Sequence, residues 1–520
     1  MATRHTPRPS VAAVLTQVAT FAVYGLEPRQ VWVEVDIRLG LPAFAVVGLG
    51  DKAVRESRER VRAALLNSGY EFPQKRITAN LAPAYLRKAG PGYDLGLAIG
   101  ILASSGQAEG ARLDRWAVFG ELGLNGALRP CRGVLAVAEG AKRAGFDGLV
   151  VPRTQAAEAA VVADVEVAGV ETLRDAGEVL QGTRAVEPPE AIEDDPSWSS
   201  GPDLADVRGH LGPRLALEVT AAGGHNLLLE GPPGTGKTML ARRLPSILPP
   251  LSDEEAIEVT RIRSVAGLHS GGGLVRERPF RAPHHTISPS GLVGGGSTPA
   301  PGEATLAHLG VLFLDELSEF ARSSLEALRQ PLEDGRVTVV RGQHVAVFPT
   351  RTMLVASTNP CPCGFAGAGD DRCQCTDADV ARYRRRLSGP LLDRIDLRID
   401  VQRPTSAELA QGPGEQSESV RTRVVAAREL QAQRLAGTGV VCNSQMDTGL
   451  VRTHLDAEPD ALRALLDAYD HAGLSARGHH RILRVARTLA DLDEASRVRR
   501  HHVLLALSMR GHDPAERAAA

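Results

Sequence analysis

The chain has 520 residues, of which 43% are hydrophobic and 4% aromatic, and its 60 Lys and Arg against 62 Asp and Glu give a formal net charge of -2. This length and apolar fraction exclude a disordered or collagen-like protein and predict about three domains, each with its own core. The near-neutral charge excludes a global basic field, so any contact with nucleic acid must come from local patches.

Cysteine usage and apolar runs indicate the compartment. Six cysteines are too few for a disulfide scaffold, which predicts a reducing environment. Arg4 and Arg8 precede an apolar stretch over 11–26, but polar residues interrupt that stretch, so we do not expect a secretion signal. No run reaches the ~18 apolar residues of a membrane helix. We therefore predict a cytoplasmic protein without a membrane partner.

The N-terminal part of the chain alternates two kinds of apolar pattern. The runs 31–37 and 43–47 are typical of strands, whereas 53–67 and 132–144 have helical spacing. These patterns predict a compact α/β domain over 1–183. An acidic, proline-rich segment without periodicity follows, and we expect a linker over 184–205.

The remainder of the chain predicts two further domains. Strands and helices alternate again over 206–402, around the motifs described next. After a polar break, apolar residues keep helical spacing in several successive segments, which predicts a helical lid over 415–515.

Residues 231–238 match the phosphate-loop pattern G-x-x-x-x-G-K-[ST], with an apolar run before them and a helical segment after them. In such a loop, backbone N–H groups surround the phosphates, Lys237 reaches the β and γ oxygens, and Thr238 ligates Mg²⁺. The residues expected to bind ATP are Gly231, Pro232, Pro233, Gly234, Thr235, Gly236, Lys237 and Thr238.

Lysine usage supports this assignment. Among the 60 Lys and Arg residues only five are lysine, and only Lys237 lies after position 142. At position 237 this arginine-rich chain has a lysine, whose compact ammonium fits where a planar guanidinium would not.

Two later apolar runs end in polar side chains suited to the same chemistry. The first ends in Asp315, expected to hold Mg²⁺ through water, and Glu316, expected to polarise the attacking water. Capping of a helix that begins at Ser318 is the alternative for this pair. The second run leads to Asn359, which fits a sensor of the γ-phosphate or a simple turn residue before Pro360.

These strand ends, with Gly-Pro-Leu-Leu-Asp-Arg-Ile-Asp at 389–396 and Ser-Ala-Arg at 475–477, resemble AAA+ ATPases. The clade is that of magnesium-chelatase motor subunits, MoxR proteins and minichromosome maintenance helicases. The resemblance is closer to the ComM/YifB family of magnesium chelatase-like proteins and covers nearly the whole chain. Signature stretches lie at 48–60, 222–229, 278–285, 359–364 and 479–487.

The resemblance implies an α/β fold class: a Lon-protease-like N-terminal α/β domain and an AAA+ P-loop core with a helical C-terminal lid. It also implies that Arg394 is an arginine finger supplied to the ATP of a neighbouring subunit, and that Arg477 is a second sensor in the lid. A salt-bridge or capping role of Arg394 is the alternative. A finger in trans implies a homo-oligomeric ring, expected to be a hexamer. One departure is His210 after Gly209, where the family often has Gln.

The function implied by the resemblance is an ATP-driven motor on single-stranded or branched DNA. Its expected role is that of a helicase promoting branch migration in natural transformation and homologous recombination. A magnesium-chelatase-type motor subunit and a MoxR-like chaperone or assembly ATPase are the alternatives.

A pore contact with DNA is expected from a predicted hairpin. Residues 335–348 alternate with period two about Gly342, and the family carries a pore insert in the preceding region 283–310. Arg341 and His344 would lie near the hairpin tip and bind DNA phosphates. A solvated tip is the alternative.

Four of the six cysteines cluster as C-x-C, nine residues, C-x-C. Four thiolates converging in a short segment suit tetrahedral Zn²⁺, which would fasten a loop that lacks a core. Unligated thiols are the alternative. The cysteines are Cys361, Cys363, Cys373 and Cys375.

Residues 85–152 resemble the proteolytic domain of Lon proteases, whose dyad needs a serine and a lysine. Asp94 stands at the position that matches the serine, and no lysine lies between Gly123 and Ala141. We therefore predict no peptidase activity and a scaffold for ring assembly or DNA contact.

Overall fold

The computed structural model describes residues 15–108, 110–189, 201–269, 272–296, 299–341, 344–366, 372–387, 389–410, 412–471 and 475–510. The chain forms two compact units. Among the described residues, the first unit includes those up to 195 with 256–275 and 298–300, and the second includes the others. Half of the predicted linker (190–200) lies outside the described residues, and so do residues 1–14, which include Arg4 and Arg8.

The N-terminal unit contains a large sheet and its helices. The strands are β1 (Thr16–Tyr24), β2 (Glu27–Arg38), β3 (Ala43–Val47), β4 (Arg76–Ala82), β5 (Trp116–Val118), β6 (Glu121–Leu122), β7 (Leu128–Arg129), β8 (Gly148–Pro152) and β9 (Glu166–Val170). The helices are α1 (Lys52–Asn67), α2 (Asp94–Ser104), α3 (Val134–Ala144), α4 (Ala156–Ala159) and α5 (Leu173–Gln181). The seven-stranded sheet has the order β3-β4-β2-β1-β5-β8-β9.

Strand β1 shows why helices cover both faces of this sheet. Val18 and Ala22 belong to the core that contains α2, whereas Ala19 and Phe21 belong to the core that contains α3. Because successive strand side chains point to opposite faces, a strand whose central residues are all buried needs a layer on each side. The α/β pattern predicted for this part of the chain is confirmed.

After residue 201, the strands are β10 (Leu227–Glu230), β11 (Phe280–Arg281), β12 (Gly294–Gly295), β13 (Ala300–Pro301), β14 (Val311–Leu314), β15 (Arg336–Arg341), β16 (His344–Pro349), β17 (Met353–Thr358) and β18 (Leu397–Asp400). The helices up to the lid are α6 (Leu211–Gly223), α7 (Lys237–Ala241), α8 (Asp253–Ala266), α9 (Pro289–Val293), α10 (Glu303–Leu306), α11 (Arg322–Ala327), α12 (Arg329–Asp334), α13 (Asp377–Arg384), α14 (Gly389–Leu392) and α15 (Ser406–Ala410). The lid helices are α16 (Ser417–Arg434), α17 (Thr448–His454), α18 (Pro459–His471), α19 (Ala476–Leu492) and α20 (Arg500–Ser508).

The second unit is built on a five-stranded sheet in the order β11-β14-β17-β10-β18, and its neighbouring strands are parallel. The carboxyl ends of β10, β14 and β17 therefore meet at one edge. Leu227 and Leu229 of β10 share a core with lid residues such as Val424 and Leu489, whereas Leu228 faces the other core. The predicted helical lid is confirmed, and it packs on the sheet layer that carries the phosphate loop.

The predicted hairpin is also present. Strands β15 and β16 are antiparallel, with Arg341 opposite His344 at the last pair before the turn. The turn and the side chains of these two residues lie outside the described part of the chain. In the described residues, no helix is both long and apolar enough to cross a membrane.

Candidate ATP site

The phosphate loop connects β10 to α7 by a backbone that only glycine adopts readily. Gly234 and Gly236 have φ values of +76° and +91°, in the left-handed region. A Cβ atom at Gly231 would lie 2.2 Å from the carbonyl oxygen of Val401, so a side chain there would collide with the backbone after β18. Helix α7 begins at Lys237, so the predicted strand, loop and helix follow one another.

Lys237 points into its own loop. Its side chain is buried, and Nζ donates to the carbonyl oxygens of Gly231 at 2.6 Å and Pro232 at 2.8 Å. Burial lowers the pKa of the ammonium, and the carboxylates of Asp315 and Glu316 oppose that shift. The loop carbonyls thus hold the ammonium group inside the loop.

Asp315 contacts the phosphate loop from the end of β14. Its carboxylate accepts a hydrogen bond from Thr238 Oγ1 at 2.8 Å and another from the Ser357 hydroxyl. Asp315 and Thr238 are thus adjacent, close enough for Thr238 to ligate a Mg²⁺ that Asp315 would hold through water. The donor set of a hydroxyl and a carboxylate fits this cation, which keeps several of its waters.

Glu316 has an unusual backbone. Its φ of +54° is rare for a residue with a side chain, and its amide donates to Ser357 Oγ at 3.1 Å. The side chain is exposed and does not cap the short 3₁₀ helix Leu317–Glu319 that follows. The capping alternative therefore does not account for this carboxylate, which is exposed next to Asp315.

Asn359 follows β17 and contacts the lysine of the phosphate loop. Its Oδ1 accepts a hydrogen bond from Lys237 Nζ at 3.1 Å. This contact goes beyond what a turn residue before Pro360 needs. The structure thus places Lys237, Thr238, Asp315 and Asn359 together at one sheet edge.

His210 lies next to the phosphate loop, and the sequence alone did not predict its role. It has a φ of +55° immediately before α6, and a Cβ atom at Gly236 would lie 3.7 Å from its Nε2. Burial lowers the pKa of the imidazole, and the Glu408 carboxylate opposes that shift. The sequence marked this position only as a departure from a family pattern.

Arg394 lies at the opposite end of the sheet. Its carbonyl accepts from Asn226 Nδ2 at 2.8 Å, just before β10 begins, and its guanidinium forms an ion pair with Glu333. A four-residue strand such as β10 spans ~13 Å, which separates Arg394 from the phosphate loop of the same chain. Arg394 and the exposed Arg477 line one open cavity of about 630 Å³.

The four predicted cysteines converge. Their sulfurs all lie within 4.8 Å of one another, and Cys361 Sγ is 3.3 Å from that of Cys363 and 3.8 Å from that of Cys373. Ordinary Zn–S bonds of ~2.3 Å in a tetrahedron place sulfurs ~3.8 Å apart, so the cluster has the right size for Zn²⁺.

In the N-terminal unit, Asp94 is the first residue of α2. Its side chain is completely buried and forms an ion pair with Arg60. Its carboxylate accepts from Arg60 Nε at 2.6 Å, Ser57 Oγ at 2.5 Å and the Leu122 amide at 3.3 Å. Burial raises the pKa of this carboxyl, and the bonds to Arg60 and Ser57 oppose that shift. The residue at the position of the proteolytic serine therefore takes part in a structural network.

The parallel sheet, the phosphate loop after β10 and the helical lid together define an AAA+ P-loop protein. Three protein-family models match the chain, and all three describe magnesium chelatase. They are subunit ChlI over residues 203–409, subunit ChlI of Mg-chelatase over 33–155, and the C-terminal part of subunit ChlI over 414–510.

Relatives match almost end to end. The chain is 43% identical over 501 residues to the uncharacterized protein YifB of Salmonella typhimurium, covering 96% of this chain and 97% of that protein. It is 45% identical over 498 residues to an uncharacterized protein of Mycobacterium tuberculosis, covering 95% and 98%. It is 41% identical over 502 residues to the competence protein ComM of Haemophilus influenzae, covering 95% and 97%. The chain belongs to the ComM/YifB family of magnesium chelatase-like proteins.

Proposed function

We propose that this protein hydrolyses ATP with Mg²⁺ at the edge of the second sheet. The observation that carries the proposal is the convergence there of Lys237, Thr238, Asp315 and Asn359, from three strand ends. Lys237 would bind the β and γ oxygens, Thr238 and Asp315 would hold Mg²⁺, and Glu316 would orient the attacking water. Asn359 would sense the γ-phosphate.

We propose further that the active form is a homo-oligomeric ring, expected to be a hexamer. Arg394 lies at the far end of β10, so it cannot reach the ATP of its own chain in this conformation. A neighbouring chain would supply Arg394 to that ATP, with Arg477 from the same cavity as a second cation.

The proposed work of the ring is on DNA: a helicase that promotes branch migration in natural transformation and homologous recombination. The match to a protein named competence protein ComM supports this choice. Backbone phosphates would be bound by a few basic side chains per subunit, repeated around the pore, with Arg341 and His344 as candidates. Binding through backbone phosphates agrees with the low aromatic content, which offers few rings for base stacking, and with the near-neutral charge of the chain.

A magnesium-chelatase motor is the second candidate, because all three matching sequence models carry that name. ATP hydrolysis with and without DNA separates the two. We expect single-stranded or branched DNA to stimulate turnover severalfold. Equal rates with and without DNA would overturn the DNA motor and leave the chelatase-type motor or an assembly ATPase.

We assign 1–183 to a non-proteolytic scaffold domain, 206–402 to the ATPase core with its pore insert, and 415–515 to the lid. We also propose that Cys361, Cys363, Cys373 and Cys375 bind Zn²⁺, and a zinc content near one per chain in protein purified without chelator would test this.

A further inference from the structure

The segment between β17 and α13 contacts the phosphate loop at two points. It begins with Asn359, which accepts a hydrogen bond from Lys237 Nζ at 3.1 Å. Five residues later Gly364 lies against the ring of Pro233. The four cysteines occupy the same segment, so the sulfur cluster and the ATP site share a short stretch of backbone.

The contact at Gly364 leaves no room for a side chain. Gly364 has a φ of +88°, and a Cβ atom there would lie 2.7 Å from Cδ of Pro233 and 3.2 Å from its Cγ. Pro233 is rigid, and it stands in the middle of the phosphate loop. The position of Gly364 therefore limits the positions that this loop can adopt.

The turn that presents Gly364 also presents two sulfurs. The amide of Gly364 donates to the carbonyl oxygen of Cys361 at 3.0 Å, which closes a four-residue turn with Cys361 and Cys363 inside it. Cys361 is completely buried, and its Sγ accepts from the amide of Ala366 at 3.3 Å. An N–H directed at sulfur stabilises a thiolate, the form that binds metal.

The second pair of cysteines would complete the brace. Cys373 and Cys375 come from the residues just before α13, and Cys373 Sγ lies 3.6 Å from that of Cys363. A metal held by both pairs would tie the turn to the residues before α13, and so would fix the turn against the phosphate loop.

We propose that Zn²⁺ bound by the four cysteines braces the phosphate loop through Gly364 and Asn359, so that metal occupancy sets the affinity for nucleotide. The proposal rests on the ATP site proposed above. Metal loss frees the turn, and the loop then loses the Pro233 contact and the Lys237–Asn359 hydrogen bond that preorganise it. We expect nucleotide affinity to fall about fivefold to tenfold, as for the loss of one or two such contacts.

The test is equilibrium binding of ADP to the full chain by calorimetry, with zinc measured in the same samples. The wild type is compared as purified, after removal of zinc with a thiol reagent and chelator, and after zinc is restored. We expect weaker binding without zinc and full recovery with it. Less than about half a zinc per chain as purified, or equal affinity in the three samples, would overturn the proposal.

A glycine variant distinguishes loss of the Gly364–Pro233 contact from loss of the metal. Gly364→Ala keeps all four sulfurs, so we expect it to retain zinc and to bind ADP about fivefold to tenfold more weakly. Gly437→Ala is the matched control, because Gly437 has a similar φ of +78° with open space around it. Wild-type ADP affinity in Gly364→Ala would contradict the brace.

Failure of the underlying function gives a different result. If zinc-loaded wild type binds no ADP, the proposed ATP site is wrong, and the brace is wrong with it. If the wild type binds ADP equally well with and without zinc, only the brace is overturned. Circular dichroism of each variant shows whether it has folded.

Discussion

At the scale of single residues, the ATP site depends on the size of one side chain. Lys237 Nζ is enclosed by two loop carbonyls and Asn359, all within 3.1 Å. A guanidinium is planar and larger, and it cannot occupy this space without moving the loop. This geometry explains why an arginine-rich chain retains lysine here.

We predict that Lys237→Arg fails almost as completely as Lys237→Ala. Both should lower the rate of ATP hydrolysis by about 100-fold or more, since a misplaced catalytic group commonly costs that much. Lys142→Arg is the control, because Lys142 is half-exposed and pairs with Asp164 at the surface of the other unit. Substantial turnover by Lys237→Arg would show that charge alone is needed.

Glu316→Gln tests the water-orienting role. We expect this variant to bind ATP with wild-type affinity but to hydrolyse it about 100-fold or more slowly, because it loses only a group that acts on the nucleophile. Glu319→Gln, three residues away and also exposed, should keep its rate. Wild-type turnover by Glu316→Gln would remove the residue from the site.

The buried Lys88 should make the free energy of unfolding depend on pH. Its side chain is completely buried, Nζ donates to the carbonyl oxygen of Pro83, and burial lowers its pKa to about 8. The unfolded value is ~10.4, so between these pH values the unfolded chain binds a proton that the folded chain lacks. The contribution of Lys88 to stability should therefore rise with pH from 8 to about 10.

Urea unfolding, followed by the fluorescence of Trp32 and Trp116, measures this effect in the N-terminal unit. Lys88→Met should be more stable than the wild type below pH 8, and the difference should shrink as the pH rises. Lys142→Met should show neither effect. A Lys88→Met variant that is less stable at pH 7 would refute the desolvation argument.

At the scale of elements, local sequence pattern predicted the strands and helices that carry the site. Apolar runs before Lys237, Glu316 and Asn359 became parallel strands, and the helical spacing after residue 415 became the lid. The sequence pattern could not predict the left-handed backbone of Glu316, because the residue is not glycine and its amide donates to Ser357, a residue 41 positions later in the chain. The sequence pattern also could not predict that Gly364 contacts Pro233, because the two residues lie in distant segments of the chain.

The lid has a buried charge network that its sequence did not reveal. Asp491 accepts hydrogen bonds from Arg434 at 2.7 and 2.8 Å, from Arg487 at 3.1 Å and from Asn443 at 2.8 Å. Asp491 and Arg487 are almost completely buried. Removal of the one carboxylate leaves buried guanidinium charge without compensation.

We predict that Asp491→Asn destabilises the lid by about 3–5 kcal/mol, the usual cost of breaking a buried ion pair. Asp493→Asn, whose side chain is 60% exposed, should cost much less. Chemical denaturation followed by circular dichroism gives both values. Equal stabilities of the two variants would contradict the prediction.

At the scale of the whole molecule, the two ends of the second sheet carry different parts of the proposed catalytic site. The phosphate loop lies at the carboxyl end of β10, whereas Arg394 and Arg477 line a cavity at the amino end. A catalytic site that combines them requires two chains, so the proposed ring follows from the parallel topology together with the family resemblance.

Mixed rings test this arrangement. Arg394→Ala should hydrolyse ATP about 10³-fold more slowly than the wild type, since a finger in trans contributes at least this much. Lys237→Ala should lose about 100-fold or more, as predicted above. Mixing the two should restore turnover, because an intact phosphate loop then meets an intact Arg394 across some interfaces. No recovery in verified mixed oligomers would contradict a role of Arg394 in trans.

In the proposed motor, ATP hydrolysis drives movement on branched DNA. Strand separation or branch migration of a synthetic three-way or four-way junction, with and without ATP and Mg²⁺, measures it directly. We predict that the wild type resolves the junction only with ATP and that Lys237→Ala does not. A protein that hydrolyses ATP but leaves every junction intact would contradict the account.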